Sequence, residues 1–141
     1  MKKPLATFAV LLLATTYAFH AGSDEPNGEK ELVTHNTSEL GEQLIRTLSE
    51  SLRQRLAEYR LGRTTPAKVI AVNRELYEAQ LVAAAADQRS DVAASYLERA
   101  KEVESIAERR VSNGTGTSMD VLDAKASRLR ATIELSKVTS L

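Results

Sequence analysis

Few side chains in this 141-residue sequence have types and spacings that could do chemistry. Cysteine is absent, and the only histidines are His20 and His35; two such residues without cysteine do not make a metal site. No serine, histidine and acid can be placed in a nucleophilic arrangement. The segment 114–116, Gly-Thr-Gly, lacks the lysine of a phosphate-binding loop. The sequence therefore predicts no catalytic residue, no cofactor and no metal, and a protein that is not an enzyme.

The acids Asp120 and Asp123 stand just after the segment 113–116, Asn-Gly-Thr-Gly, whose residues accept positive φ and so end a helix. Thr117 can accept a backbone N–H of the next helix, while Asp120 reaches back as in a capping box. We interpret Asp120 as stabilising the positive end of that helix and Asp123 as a solvated first-turn residue. So short a turn predicts two antiparallel helices.

Those helices belong to a chain whose first residues look like a secretory signal peptide. Two lysines precede an apolar run from Leu5 to Ala14, and small residues follow, so cleavage is expected after Ala18 or Ala21. The run is shorter than the roughly 20 apolar residues that span a bilayer. We predict a signal peptide over 1–21, a disordered linker over 22–37 and a helical domain over 38–139.

The composition supports an all-helical protein. Leucine, alanine, glutamate and arginine dominate, and tryptophan is absent, which is typical of a helical bundle or coiled coil. Removal of Lys2 and Lys3 leaves 17 basic and 19 acidic residues, a balance that argues against nucleic-acid binding.

Four helices are predicted, each with an apolar stripe on a 3.6-residue period. Their expected bounds are about 38–62, 66–86, 91–112 and 118–139. The first is capped by one of residues 36–38, and the second by Thr65 with Pro66 at its first position, where a missing N–H costs nothing. Residues 87–91 are expected to separate the second helix from the third, with Ser90 capping the third; the alternative is one continuous helix. The predicted inward stripes are Leu40, Leu44, Ile45, Leu48, Leu52, Leu56 and Tyr59; Val69, Val72, Leu76, Ala79 and Ala83; Val92, Tyr96, Leu97, Ala100, Val103, Ile106 and Val111; and Leu122, Ala126, Leu129 and Ile133.

The second half echoes the first at an offset of 52 residues, as repeats over 38–86 and 90–138. Caps, turn glycines and core positions keep register: Ser38 with Ser90, Gly62 with Gly114, Thr65 with Thr117, and Val69-Ile70 with Val121-Leu122. A duplicated antiparallel hairpin predicts an up-down four-helix bundle or a short coiled coil. The bland alternative is that any two amphipathic hairpins look alike.

The stretch from Arg110 to Val138 resembles the periplasmic helical hairpins of TolC-type outer-membrane efflux proteins. The matching residues are Gly114, Asp120-Val121-Leu122, Ala124, Leu129 and Ala131. The first hairpin keeps Gly62, Val69-Ile70 and Ala79, but Lys68 replaces the aspartate. No alternating run is long enough for the family's transmembrane strands.

The resemblance implies that residues Gly62, Thr65, Pro66, Gly114, Gly116 and Thr117 form hairpin tips in the cell envelope. It also implies that Asp120 and Asp123 are possible pore or docking acids, since the family has an acid near the channel entrance. We expect an exported interaction or structural module with envelope proteins or further copies as partners. The alternative is an efflux component that oligomerises into a conduit.

Overall fold

The computed structural model describes the backbone of residues 28–140 and the side chains of residues 37–140. It confirms an all-α fold, with no strand in the described part. The helices are α1 (Gly28–Arg60), α2 (Pro66–Ala83), α3 (Arg89–Ser112) and α4 (Ser118–Thr139), with one 3₁₀ turn at Ala86–Gln88. The predicted signal peptide and residues 22–27 of the predicted linker lie outside the described residues.

Helix α1 begins about ten residues earlier than predicted. It starts at Gly28, so residues 28–37 of the predicted linker are helical, and residues 36–38 lie inside the helix rather than capping it. Between Glu29 and Leu40 no proline or glycine interrupts the chain, and several residues there are good helix formers. Polar composition alone therefore did not distinguish a linker from an extension of the helix.

The second and third helices are separate, as expected, but the interruption between them lies a few residues earlier than expected. Helix α2 ends at Ala83, and Ala84 and Ala85 have extended backbones with ψ of 136° and 160°. Ser90 lies inside α3, and the residue at the cap position is Gln88, whose side chain makes no cap hydrogen bond. Alanine is the best helix former, so local propensity does not end α2 here. We attribute the break to packing, because α3 must run back along α2.

The helices form two hairpins, α1 with α2 and α3 with α4, of which the second is the more extensively packed. An ion pair between Glu104 of α3 and Arg128 of α4 reinforces the second hairpin. Helix α2 packs against both α3 and α4, whereas α1 touches α3 only slightly. In the described part of the chain no Cα atom of α1 lies within 8 Å of a Cα atom of α4. The bundle is therefore open between its first and last helices.

The core consists of two clusters, one near the two hairpin turns and one toward the other end. We call the end that carries the turns 61–65 and 113–117 the tip. The cluster near the tip contains Leu52, Tyr59, Val69, Val72, Leu76, Val103, Ile106, Ala107 and Ala124. The distal cluster contains Tyr77, Ala93, Tyr96, Ala100 and Ala131.

The predicted inward face of α4 is wrong. Leu122, Leu129 and Ile133 are 56%, 47% and 55% exposed. The buried residues of α4 are small: Ala124, Ser127 and Ala131. Helix α3 also turns alanines inward, and small side chains allow two helices to approach closely. Leu122, Leu129 and Ile133 consequently lie on its other side, whereas Val121, Leu135 and Val138 are half-buried against the two core clusters. Four further residues of the predicted stripes are also exposed: Leu40, Leu44, Ala83 and Val111.

Candidate interaction surfaces

The two turns at the tip have the same backbone conformation. Gly62 and Gly114 have φ of 73° and 71°, in the left-handed region that favours glycine. Each turn has the pair of hydrogen bonds that defines a Schellman motif, which ends a helix and satisfies its last carbonyl groups. These N–H to carbonyl bonds are Gly62 to Tyr59 at 3.0 Å, Arg63 to Glu58 at 2.9 Å, Gly114 to Val111 at 3.0 Å and Thr115 to Arg110 at 2.8 Å. The turns are thus equivalent at an offset of 52 residues.

The helix starts that follow the turns differ in their side-chain caps. The predicted capping box at α4 is confirmed: the Asp120 N–H donates to Thr117 Oγ1 at 3.2 Å, and the Thr117 N–H donates to Asp120 Oδ2 at 3.0 Å. At α2 the cap residue is Thr65, as predicted, but its side chain makes no cap hydrogen bond. Pro66 begins α2 as predicted and is buried. Of the two helices that follow the turns, only α4 therefore has a side-chain cap.

Gly116 is required for a close approach rather than for its dihedral angles. A Cβ atom at this position would lie 2.9 Å from Arg110 Cβ and 3.1 Å from the Val111 nitrogen. The Gly116 N–H donates to the Arg110 carbonyl at 3.0 Å. In the first turn the equivalent position is Thr64. The second turn is therefore packed more tightly against the end of its helix than a side chain would permit.

Arg110 joins the two turns. Its Nη1 donates to the Tyr59 carbonyl of the first hairpin at 3.2 Å, and its Nη2 donates to the Thr115 carbonyl of its own turn at 2.9 Å. The guanidinium also lies over the Tyr59 ring, 4.9 Å from the centroid, as a cation–π pair. The two glycine turns therefore lie at the same end of the molecule.

Four arginines lie at the tip: Arg60, Arg63, Arg109 and Arg110. Arg60 forms an ion pair with Glu102 of α3, and Arg109 donates to Ser105 Oγ at 3.1 Å. With Arg110 engaged as well, three of these four side chains have partners inside the chain. This arrangement favours a structural role for these arginines at the tip over a docking surface for an acidic partner.

The acids Asp120 and Asp123 are not brought together at one point. Asp120 is half-buried and borders a depression of about 250 Å³ between the two turns. Asp123 is exposed and borders a different groove, of about 530 Å³, between α2 and α4. Capping by Asp120 is confirmed, and a role for the two acids in a pore or in docking stays a prediction.

The most conspicuous surface was not predicted: it is an apolar stripe that we call the outer face of α4. Its members are spaced three and four residues apart, as in the seam of a coiled coil. They are Met119 (61% exposed), Leu122, Ala126, Leu129 and Ile133. Leu122 and the buried Ala124 are about 200° apart around the helix at ~100° per residue. Helix α4 is therefore apolar on two opposite sides, and only one of them is covered.

A second unfilled surface is the groove between α1 and α2, which we call the α1/α2 groove. It has a volume of about 880 Å³. Its apolar lining includes Gly41, Leu44, Leu48, Ala79, Val82 and Ala83. Glu42, Glu75 and Glu78 also line it and make it acidic. The sequence contained a signal for both surfaces, because α4 has apolar residues on two stripes and α1 has leucines beyond its buried stripe.

Among the described residues no group of His, Cys, Asp or Glu side chains could hold a metal ion. None of the four helices, over the described residues, has a stretch long and apolar enough to cross a membrane. Comparisons with protein-family models, curated proteins and solved structures gave no match.

Proposed function

We propose that the protein is an exported, non-enzymatic helical module of the cell envelope that acts by binding another protein chain. The observation that carries this proposal is the outer face of α4, where Met119, Leu122, Leu129 and Ile133 are each about half exposed or more. A helix that is apolar on opposite sides is normally covered on both. The uncovered side is therefore best explained as a binding surface.

Two features of the sequence support the envelope location. The first 21 residues have the charge and hydropathy pattern of a secretory signal peptide. The second hairpin resembles the periplasmic hairpins of TolC-type efflux proteins around Gly114 and the segment 120–122. Export would bring the module to the compartment in which such hairpins work.

The proposal is tested by site-specific photo-crosslinking in intact bacteria that express the full chain. A photo-reactive phenylalanine analogue replaces Leu129 on the outer face, and in a matched control it replaces Glu98, an exposed residue of α3. We expect a crosslinked protein in the periplasmic or envelope fraction from position 129 and none from position 98. The crosslink should disappear when Ile133, the neighbouring outer-face residue, is also changed to Glu.

Retention of the protein in the cytoplasmic fraction would contradict the proposed location. Equal crosslinking from both positions, or none from position 129, would contradict the proposed binding surface.

A further inference from the structure

We propose that the outer face of α4 in one copy of this chain packs into the α1/α2 groove of a second copy. The contact is head to tail in the sense that two different surfaces meet, one from each copy. This inference rests on the proposed function and names the partner. It is carried by the contacts between the two hairpins inside one chain, which provide a template for contacts between chains.

The template is the packing of α2 against the second hairpin. Tyr77 of α2 stacks on Tyr96 of α3, with ring centroids 4.5 Å apart and planes 12° apart. Tyr77 shares its buried cluster with Ala93 and Ala100 of α3 and Ala131 of α4. Leu81, one turn further along α2, packs against the same cluster. Inside the chain, α2 therefore presents projecting side chains to a surface formed by α3 and α4.

The offset of 52 residues maps the projecting residues of α2 onto the outer face of α4. The equivalent pairs are Ile70 with Leu122, Tyr77 with Leu129, and Leu81 with Ile133. In α2 these side chains are buried or half-buried, whereas in α4 their counterparts are exposed. The outer face of α4 is thus equivalent, at the offset of 52 residues, to the face of α2 that packs against the second hairpin.

The same offset maps the receiving surface onto the α1/α2 groove. The equivalent pairs are Ala93 with Gly41, Tyr96 with Leu44, Ala100 with Leu48, Ala131 with Ala79, and Leu135 with Ala83. All five counterparts line the α1/α2 groove. A single copy therefore has an uncovered equivalent of each contacting surface: the outer face of α4 corresponds to α2, and the α1/α2 groove corresponds to the surface that receives α2.

Size and charge fit this pairing. The stacked pair of Tyr77 and Tyr96 would be replaced by Leu129 of one copy against Leu44 of the next, an apolar pair whose side chains are somewhat smaller than tyrosine. The groove is lined by acids, whereas Lys125 and Arg130 lie beside the outer face of α4. Opposite charges at the edges of an interface favour the correct partner and register.

One internal contact has no equivalent between copies. Arg99 of α3 donates to Asn73 of α2 at 2.7 Å, and burial lowers the pKa of Arg99. The equivalent positions are Thr47 and Lys125, which cannot make the same bond. Contact between copies would therefore depend on apolar packing more than the internal contact does.

The geometry also fixes the direction of assembly. Helices α2 and α4 both start at the tip, so a helix α4 that replaces α2 in the template runs the same way. The tips of associated copies therefore point in one direction. Because each added copy leaves one outer face and one groove free, the contact is heterologous and produces a ring or an open row rather than a two-fold dimer.

The test uses two variants that each destroy one half of the contact. Leu44→Glu places a charge in the groove, and Leu129→Glu places one on the outer face. Both positions are half exposed, so the fold should be retained, and circular dichroism checks this. By light scattering each variant alone should have the mass of one copy, while the wild-type protein should be larger.

An equimolar mixture of the two variants should have twice the mass of either, because the intact outer face of the first fits the intact groove of the second. Val111→Glu is the matched control, since it changes an exposed apolar residue outside both surfaces and should assemble like the wild type. A mixture that keeps the mass of one copy would overturn the inference, as would a wild-type protein of that mass at every concentration.

Disulfide trapping gives a second, independent measurement, because the chain has no cysteine of its own. Oxidation of Leu44→Cys mixed with Leu129→Cys should link the two variants. Leu129→Cys alone should not link to itself, and efficient self-linkage would indicate a symmetric α4 contact and overturn the head-to-tail arrangement. If wild-type copies do not associate but position 129 still crosslinks to a different envelope protein, this inference fails while the proposed function stands.

Discussion

Replacing Arg110 with alanine would measure how strongly the two hairpins are held together at the tip. The substitution removes the bond from Nη1 to the Tyr59 carbonyl at 3.2 Å, the bond from Nη2 to the Thr115 carbonyl at 2.9 Å and the cation–π contact with the Tyr59 ring. The first bond is partly buried and joins the hairpins, so we assign it about 1.5 kcal/mol, and the exposed second bond about 0.5 kcal/mol. The cation–π contact adds about 0.5–1 kcal/mol.

The free energy of unfolding should therefore fall by about 2.5–3 kcal/mol. With a denaturant slope of about 2 kcal/mol/M for a small protein, the urea midpoint should fall by about 1.3–1.5 M. The measurement is urea unfolding followed by circular dichroism, at a protein concentration where light scattering detects single copies. The urea midpoint of Arg110→Lys should lie between those of the wild type and Arg110→Ala, because a lysine keeps the charge but not the forked pair of donors.

Arg109→Ala is the matched control for this measurement. Arg109 is the preceding residue on α3, and among the described residues its side chain donates a hydrogen bond only to Ser105 of its own helix, so its loss should change the free energy of unfolding by less than about 0.5 kcal/mol. Equal midpoints for Arg110→Ala and Arg109→Ala would refute the view that Arg110 clamps the tip.

Three further predictions concern backbone and core. In urea unfolding, Gly116→Ala should destabilise the protein by about 1–3 kcal/mol, because the new Cβ would lie 2.9 Å from the Cβ of Arg110. Gly41→Ala inside α1, where the space around the new Cβ is open, should instead stabilise the protein by about 0.5–1 kcal/mol. If Gly116→Ala were the more stable of the two variants, the turn must relax to accept the side chain. Tyr77→Phe should leave the free energy of unfolding unchanged or raise it by up to about 1 kcal/mol, because the buried hydroxyl has no hydrogen-bond partner among the described residues. A fall of more than about 1 kcal/mol would reveal such a partner. Burial raises the pKa of Tyr59, Tyr77 and Tyr96, so these three groups should add no pH dependence to stability below pH ~10, where tyrosines in the unfolded chain begin to ionise, and stability should fall above it. Tyrosine absorbance and helical signal should then change together, and ionisation at the ordinary pKa with the helices intact would contradict this.

The features of this fold that could be predicted from sequence are those set by local backbone chemistry. A glycine after an amphipathic run, followed by a threonine three residues later, specifies a helix end, a turn and a new helix within one short segment. Both turns have this arrangement, and Gly62 and Gly114 have the positive φ that it requires. The capping box at Thr117 and Asp120 is equally local and was predicted correctly.

The features that could not be predicted depend on which surfaces meet. An apolar period gives the direction of a stripe but not its partner, and α4 has two stripes on opposite sides. Selecting the larger residues placed Leu129 inward, whereas close packing against α3 buries Ala131 instead. The break after Ala83 likewise runs against the high helix propensity of alanine, so it was expected later in the chain.

The error on α4 and the unfilled groove have one explanation if the hairpin is a repeating unit. In such a unit every surface is paired with a neighbour, so each helix has apolar residues on both sides and the sequence of one unit cannot show which side is covered. Two units in one chain satisfy one such contact, between α2 and the second hairpin, and leave the outer face of α4 and the α1/α2 groove at opposite ends of the series. Two of the apolar residues misassigned from the sequence, Leu44 on α1 and Leu129 on α4, are ones that this contact would bring together in two copies. Their exposure in a single copy is then the exposure of the two surfaces that this contact would cover.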